Sequence, residues 1–223
     1  CTTLSPTPAA GTLSCTGFTG NPFTPPGGSS DITLSASADL TPGSYTQTVS
    51  GTGGSITHTK NVTVNVPDYS LGLASPETLV VGTGATGIDI AATATSIAGF
   101  GSTVNLSCAV APVDPNVTCS VPAGVVPTGV GAPFNLHVSV AGSTTPGNYT
   151  VKVHGDDGAG HVHDSPDSSL TLHGFSVAAT NDAPSLEVGD SHTFSTGTKV
   201  TGLNGFTGNV TMSCVSGSGN LIL

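Results

Sequence analysis

Two short motifs recur along this chain, and the two recurrences lie in opposite halves of it. Val104-Asn105-Leu106-Ser107-Cys108 returns as Val210-Thr211-Met212-Ser213-Cys214, 106 residues later. Thr41-Pro42-Gly43-Ser44-Tyr45-Thr46 returns as Thr145-Pro146-Gly147-Asn148-Tyr149-Thr150, 104 residues later. The first motif therefore occurs in the middle and at the end, and the second at the start and in the middle. This order predicts one complete copy of a repeat, preceded by the back half of a copy and followed by the front half of another.

The repeat length predicts three segments. Residues 1–67 are the back half of a domain, residues 68–173 a complete domain, and residues 174–223 a front half. Copies of this length match the usual size of a domain. Both junctions are short, so we expect each copy to follow its neighbour without a flexible linker.

A second register competes with this assignment. Gly17-Phe18-Thr19-Gly20-Asn21 is identical to Gly205-Phe206-Thr207-Gly208-Asn209. We favour the first register because Cys15 and Cys119 have the same separation as the two tyrosines of the Thr-Pro-Gly motifs.

Alternating apolar and polar residues are the dominant pattern along the chain. Such alternation predicts half-buried antiparallel strands. It occurs in residues 32–36, 45–49, 62–66, 88–92, 104–106, 134–138 and 149–153. Pro-Gly, Gly-Gly and Asp-Gly turns separate these runs. Short strands at this spacing are typical of a β-sandwich, so the predicted fold class is all-β.

Charge argues against nucleic acid as a partner, and the lengths of the apolar runs argue against insertion into a membrane. Only 7% of the residues are charged, with three Lys, no Arg and a net charge of −10. A nucleic-acid-binding chain needs a basic surface, and this chain has none. No apolar run approaches the roughly 18 residues of a membrane-spanning helix, so no membrane insertion is expected. The chain opens at Cys1 without a signal sequence, as a mature secreted chain or an excerpt from a longer one would.

The five cysteines favour an oxidising compartment. Cys108 and Cys119 flank a Pro-Asn turn and predict a disulfide within the chain. By the repeat offset, Cys214 corresponds to Cys108 and Cys15 to Cys119, which predicts a bridge between Cys15 and Cys214 of different subunits. Cys1 is then spare; the alternatives are a local Cys1–Cys15 bridge or one from Cys1 to Cys214 of a neighbour.

The motifs resemble tandem bacterial immunoglobulin-like repeats of secreted and surface proteins. The resemblance lies in the V-x-L-S-C motif, the second cysteine, T-P-G-x-Y-T around Tyr45, and Gly54-Ser55-Ile56-Thr57-His58-Thr59. It covers essentially the whole chain through short, degenerate motifs. It implies tandem immunoglobulin-like antiparallel β-sandwiches in a structural or adhesive protein, and no chemistry.

Half a sandwich cannot close its own core, so each end of the chain is expected to need a partner. We expect the two halves to extend from opposite ends of the complete domain, which disfavours packing of one half on the other within one chain. We therefore predict a secreted or cell-surface structural subunit that polymerises head-to-tail with identical subunits, giving an extracellular filament or pilus-like fibre. The alternative is a spacer or stalk segment of a large surface adhesin, cut from a longer tandem array.

One polar cluster is a weak metal candidate. His and carboxylate side chains can bind Zn²⁺ or another divalent ion, and they cluster at His154, Asp156, Asp157, His161, His163 and Asp164. The corresponding turn of the first segment has no acids, so an exposed turn is the preferred interpretation. No metal or cofactor is therefore expected.

Five sequons are candidate glycosylation sites. They lie at Asn61, Asn105, Asn116, Asn148 and Asn209. Enzyme motifs are missing: the sequence has neither a G-x-S-x-G elbow nor an H-E-x-x-H helix, so no enzyme activity is expected. Tyr45 and Tyr149 are predicted to be structural, like the tyrosine corner of immunoglobulin-type sandwiches.

Overall fold

A computed structural model describes residues 1, 4–18, 22, 27–75, 77–82, 86–179, 187–191 and 197–213 of the chain. Every regular element in these residues is a β-strand, which confirms the predicted all-β class. Within the same residues, no helix is long and apolar enough to cross a membrane.

The strands follow one another in short steps. They are β1 (Leu4–Ser5), β2 (Leu13–Thr16), β3 (Thr33–Ala36), β4 (Gly43–Gly53), β5 (Ile56–Val66), β6 (Asp68–Leu73), β7 (Glu77–Val80), β8 (Thr86–Ile97), β9 (Val104–Ala111), β10 (Val117–Ser120), β11 (Gly124–Val125), β12 (Ala132–Val140), β13 (Gly147–Asp156), β14 (Val162–Asp164), β15 (Ser168–Ala179) and β16 (Thr198–Leu203).

Strands β6 to β15 form a sandwich of two sheets. One sheet has the order β10-β12-β8-β6, and the other has β11-β9-β13-β15, with β14 on β13 and β7 parallel to β15. If β6, β8, β9, β10, β12, β13 and β15 are lettered A to G, these are the A-B-E-D and C-F-G sheets of the immunoglobulin fold. The predicted sandwich is thus observed in the middle of the chain.

The core of this sandwich follows from the alternation of its strands. In β12, Phe134, Leu136, Val138 and Val140 point inward and are buried, while the residues between them are exposed or half-buried. The opposing sheet contributes alternate residues of β13 and β15. The buried cluster runs from Tyr69 to Leu172. Burial of these side chains is the main favourable term in folding, because it removes apolar surface from water.

One glycine in the complete sandwich leaves no room for a side chain. A Cβ atom at Gly155 of β13 would lie 2.8 Å from Val104 Cγ1, 3.0 Å from Leu71 Cδ1 and 3.1 Å from the Tyr69 hydroxyl oxygen. Any larger residue would overlap these groups. Glycine is therefore required here for packing between the sheets rather than for backbone freedom.

Two tyrosines make the same local contact. The Tyr149 hydroxyl lies 3.1 Å from the carbonyl oxygen of Thr145, four residues upstream, and 3.0 Å from Asp114 Oδ2. Burial and the hydrogen bond to Asp114 raise the pKa of Tyr149 above its ordinary value. The Tyr45 hydroxyl likewise donates to the carbonyl of Thr41. Both tie a strand to the loop before it, which is the geometry of a tyrosine corner.

The last described strands repeat the first strands of the sandwich. In the pairing of β6 with β8, Asp68 lies opposite Ile97. In the pairing of β15 with β16, Gly174 lies opposite Leu203. All six pairs of the second ladder are displaced by 106 residues from those of the first. Residues 174–179 and 198–203 therefore form the A–B ladder of another copy.

The first strands repeat the later strands of the sandwich in the same way. Leu13 lies opposite Ala36 in β2–β3, as Val117 lies opposite Val140 in β10–β12, and both partners are displaced by 104 residues. These strands form a D–E ladder.

Strands β4 and β5 form the matching F–G ladder. Tyr45 lies opposite Val64, and Tyr149 lies opposite Leu170 in β13–β15. The chain therefore carries the strands of one complete sandwich and, in two separate pieces, most of the strands of a second. The domain bounds at residues 67 and 173 remain predictions.

The turn that follows each B-type strand also recurs. Ala98 and Gly99 both have positive φ, at 51° and 85°, and Asn204 and Gly205 have φ of 50° and 83°. In each turn the amide at the fourth position donates to the carbonyl at the first. These are type I′ turns, for which Asn-Gly is the favoured pair and an alanine is strained.

This comparison gives a stability prediction. Ala98→Asn places at the first turn the residue used at the second, and we expect it to raise the free energy of unfolding by about 0.5–1 kcal/mol, because Asn tolerates the left-handed region better. Urea unfolding measures the change. The reciprocal variant, Asn204→Ala, should not be stabilising; a gain in stability there would contradict the explanation.

Candidate functional site

The front half presents an uncovered apolar surface. Phe175, Val177, Val200 and Met212 are 42%, 49%, 41% and 48% exposed. We call these four residues the front face. It lies mainly on the A–B ladder formed by β15 and β16.

The same positions are buried in the complete sandwich. The counterparts of Phe175, Val177 and Val200, 106 residues earlier, are Tyr69, Leu71 and Ala94, which are 1%, 6% and 0% exposed. The difference lies in what covers them, because the strand pairing beneath is identical. The front face therefore corresponds to a core surface that no opposing sheet covers among the described residues.

An aromatic contact of the complete sandwich recurs in the front half. Tyr69 and Phe100 have ring centroids 5.2 Å apart, inclined by 45°. Phe175 and Phe206, at the corresponding positions, are 5.4 Å apart and inclined by 39°. The local packing of these rings is therefore the same although Phe175 is exposed and Tyr69 is buried.

The back half presents a second apolar surface. Ile32 and Val62 are exposed, and Leu13, Leu34 and Val64 are half-buried. We call these five residues the back face. The counterpart of Ile32 is Leu136, which is fully buried in the complete sandwich.

The two faces are complementary in strand content. The front half has an A–B ladder and the back half has D–E and F–G ladders, which together give the A-B-E-D sheet and most of the second sheet. The nine side chains that define the two faces carry no ionisable group. Bringing such faces together buries apolar surface without the cost of desolvating a charge.

The cysteines form two bridges in the described residues. Cys108 is joined to Cys119 and Cys1 to Cys15, each with Cα atoms 6.1 Å apart. The second bridge is the local alternative that the sequence left open, and it occupies the cysteine assigned to the inter-subunit bridge. Cys214 lies outside the described residues. A bridge from Cys214 to Cys15 would therefore require exchange with the Cys1–Cys15 bond.

The candidate metal ligands separate into pairs. His154 Nδ1 lies 2.7 Å from Asp164 Oδ1, His161 Nδ1 lies 2.7 Å from Asp157 Oδ2, and His163 Nε2 lies 2.7 Å from the Asp68 carboxylate. The Asp156 carboxylate accepts from the amide of Gly158. Within the described residues, no group of three or more His, Cys, Asp or Glu is placed to hold a metal ion. The histidines instead tie the β13–β14 hairpin to itself and to β6.

Two of these histidines also pack on the core. The His163 ring meets Tyr69 edge-on at 4.9 Å, and the His161 ring meets Phe100 at 5.5 Å. Burial raises the pKa of Tyr69 to about 12. This polar cluster therefore closes one pole of the sandwich, a role that sequence spacing alone did not reveal.

Four of the predicted glycosylation sites are exposed. Asn61, Asn105, Asn148 and Asn209 lie at the surface, and Asn116 is half-buried. The Asn148 side chain accepts a hydrogen bond from Asn204 at 3.2 Å, which links the complete sandwich to the front half. Glycosylation remains a prediction at all five positions.

The pair of His154 and Asp164 predicts a pH dependence. The hydrogen bond from His154, followed by the charge of Lys152, holds the pKa of Asp164 below its ordinary 3.8 in the folded chain. The folded chain therefore binds this proton less readily than the unfolded chain. The contribution is present above about pH 4 and is lost as the pH falls through the folded-state pKa.

We expect Asp164→Asn to weaken the loss of stability between pH 5 and pH 2, since the group that titrates is gone. Urea unfolding at a series of pH values measures it. His154→Gln should reduce the same pH-dependent loss of stability. The double variant should show no larger loss over this pH range than either single variant. An unchanged pH profile in Asp164→Asn would rule out this pair as a source of the dependence.

Comparison with known proteins gives no argument about function. No protein-family model matches the sequence, and neither does any curated protein. Among solved structures, the chain is similar to domains 4 and 5 of the S-layer protein SbsC, with a TM-score of 0.35 and 12% identity over 60% of this chain and 67% of that one. A likeness this distant does not indicate a function.

Proposed function

We propose that this chain is a structural subunit of an extracellular filament or pilus-like fibre, assembled head-to-tail with identical subunits. The front half of one subunit completes an immunoglobulin-like sandwich with the back half of the next. The contact joins two different surfaces, so it propagates along a line unless it closes into a ring.

The observation that carries this proposal is the duplicated strand register. The A–B ladder of β15 and β16 repeats that of β6 and β8, yet its core side chains are exposed. The D–E and F–G ladders at the other end repeat the parts that would cover them. Completion of such a domain would bury about 2,000 Å², which is the size of an obligate interface.

The same contact would serve the alternative function. In a spacer or stalk of a longer adhesin, each front half would meet the back half of the next repeat of the same chain. The repeat and its uncovered faces favour both arrangements equally. The mass of the natural protein distinguishes them, because a subunit of 21.7 kDa favours the filament, whereas a much larger mass favours a spacer within a longer tandem array.

Composition and disulfides support an extracellular location for either function. Two disulfides within the described residues are typical of oxidising compartments. The chain has few charged residues and a net charge of −10, which suits neither nucleic acid nor an anionic membrane surface. We propose no enzyme activity and no cofactor for it.

Substitution of the front face tests the proposal. We expect Phe175→Ser to abolish fibres and leave a folded monomer, because Phe175 is 42% exposed in the single chain and its counterpart is buried in the complete sandwich. Negative-stain microscopy and analytical ultracentrifugation measure assembly. Ser176→Ala, at the neighbouring position that points to the other side of the strand, is the matched control. A wild-type chain that stays monomeric at millimolar concentration would refute the filament.

The predicted covalent lock is a separate prediction. A thiolate of Cys214 attacks the Cys15 sulfur of the next subunit, the Cys1–Cys15 bond breaks, and Cys1 leaves as a thiolate, so no external oxidant is needed. We expect non-reducing electrophoresis of denatured fibres to show a ladder of covalent oligomers. Cys214→Ser should give monomers only, and monomers from wild-type fibres would exclude the bridge.

A further inference from the structure

Gly51 lies near the end of β4, and its counterpart in the complete sandwich is Gly155, where there is no room for a side chain. We propose that Gly51 of one copy is the socket that receives Val177 and Val210 of a second copy of this chain. In this arrangement, residues 210–213 of the second copy add to the open edge of β4, with Met212 opposite Gly51. This inference rests on the proposed function and specifies the register of its joint.

The complete sandwich supplies the template. Gly155 of β13 is the counterpart of Gly51, 104 residues later. A Cβ atom at Gly155 would overlap Val104 and Leu71, whereas at Gly51 nothing lies within 4 Å. Val210 and Val177 are the counterparts of Val104 and Leu71. The socket is therefore shaped for groups that the same chain carries at its other end.

The edge of β4 is open where the incoming segment would add. In the complete sandwich, β9 pairs with β13 from Thr150 to Asp156, with Leu106 opposite Gly155. On the corresponding edge of β4, β1 pairs only with Thr46 and Gln47. Beyond these two residues, no strand within the described part of the chain pairs with this edge. An unpaired edge of this kind is a template for strand addition.

The sequence of residues 210–213 identifies the occupant. Val-Thr-Met-Ser matches the Val-Asn-Leu-Ser that opens β9, including the alternation that directs Val210 and Met212 inward. Transfer of the β9–β13 register places Thr211 opposite Thr52, Met212 opposite Gly51, and Ser213 opposite Ser50. A one-residue slip would turn both apolar side chains to solvent, so this register is strongly specified.

A neighbouring histidine supports the same alignment. In the complete sandwich, His163 lies opposite Gly155 and packs edge-on against Tyr69. In the back half, His58 lies opposite Gly51. The counterpart of Tyr69 is Phe175, so the joint would place His58 of one copy against Phe175 of the next and restore the aromatic contact.

Addition of a side chain at Gly51 tests this inference, because it would occupy the space that Val177 and Val210 of the second copy are proposed to fill. Gly51→Val should leave the monomer folded, because its Cβ meets open space and valine suits a strand. It should weaken association roughly 10- to 100-fold, because overpacking of a core contact has that effect. Ser50→Val is the matched control: it adds a similar side chain on the opposite side of β4 and should leave association unchanged. The thermal unfolding midpoint of each variant and its assembly by analytical ultracentrifugation are the measurements.

Hydrogen exchange gives an independent measurement of register. On assembly, amides in peptides covering residues 48–53 and 210–213 should become protected together, whereas both should exchange rapidly in monomeric Phe175→Ser.

Each outcome has one meaning. If the wild-type chain and Ser50→Val form fibres and Gly51→Val does not, the proposed register is supported. Fibres from Gly51→Val at wild-type concentration, or no protection of the two peptides, would overturn the register and leave the proposed function standing. A wild-type chain that never assembles would overturn the function itself. An unfolded Gly51→Val monomer would show that the socket is already filled within one chain and would overturn the inference.

Discussion

Contact between two apolar sheet faces is the constraint on which the whole molecule depends. In residues 68–173 both sheets are present, and their inward side chains are removed from water. At the two ends similar ladders form, but among the described residues no opposing sheet covers Phe175, Val177 and Val200, which are exposed where their counterparts are buried. In the described residues, ladders therefore form at both ends, whereas packing between two sheets is seen in the middle.

The recurrence of register shows how much structure a half-domain retains. Ladders, type I′ turns and the aromatic pair of Phe175 and Phe206 all form without the second sheet. These features depend on local sequence and on the neighbouring strand. Burial depends on distant parts of the chain or on another molecule, which is why burial differs between the copies where these ladders recur.

The sequence predicted the fold class and the repeat because both produce local sequence patterns. Alternation located the strands, and the Tyr45 and Tyr149 motifs located the tyrosine corners. It did not predict the separation of the histidine cluster into pairs with Asp68, Asp157 and Asp164, because Asp68 lies far away in the chain. It also did not single out Gly51. The proposed role of this exposed strand glycine emerges only by comparison with its counterpart Gly155, whose contacts with both sheets are seen in the structure.

The continuity of β15 has a mechanical consequence. This strand pairs with β13 over its first half and with β16 over its second half, so one unbroken stretch of backbone belongs both to the complete sandwich and to the front half. Tension along the chain therefore passes from the complete sandwich to the front half without a linker to extend. Such a load would act along the strands and stress many ladder hydrogen bonds in shear at once, a geometry that favours a stiff element over an elastic one.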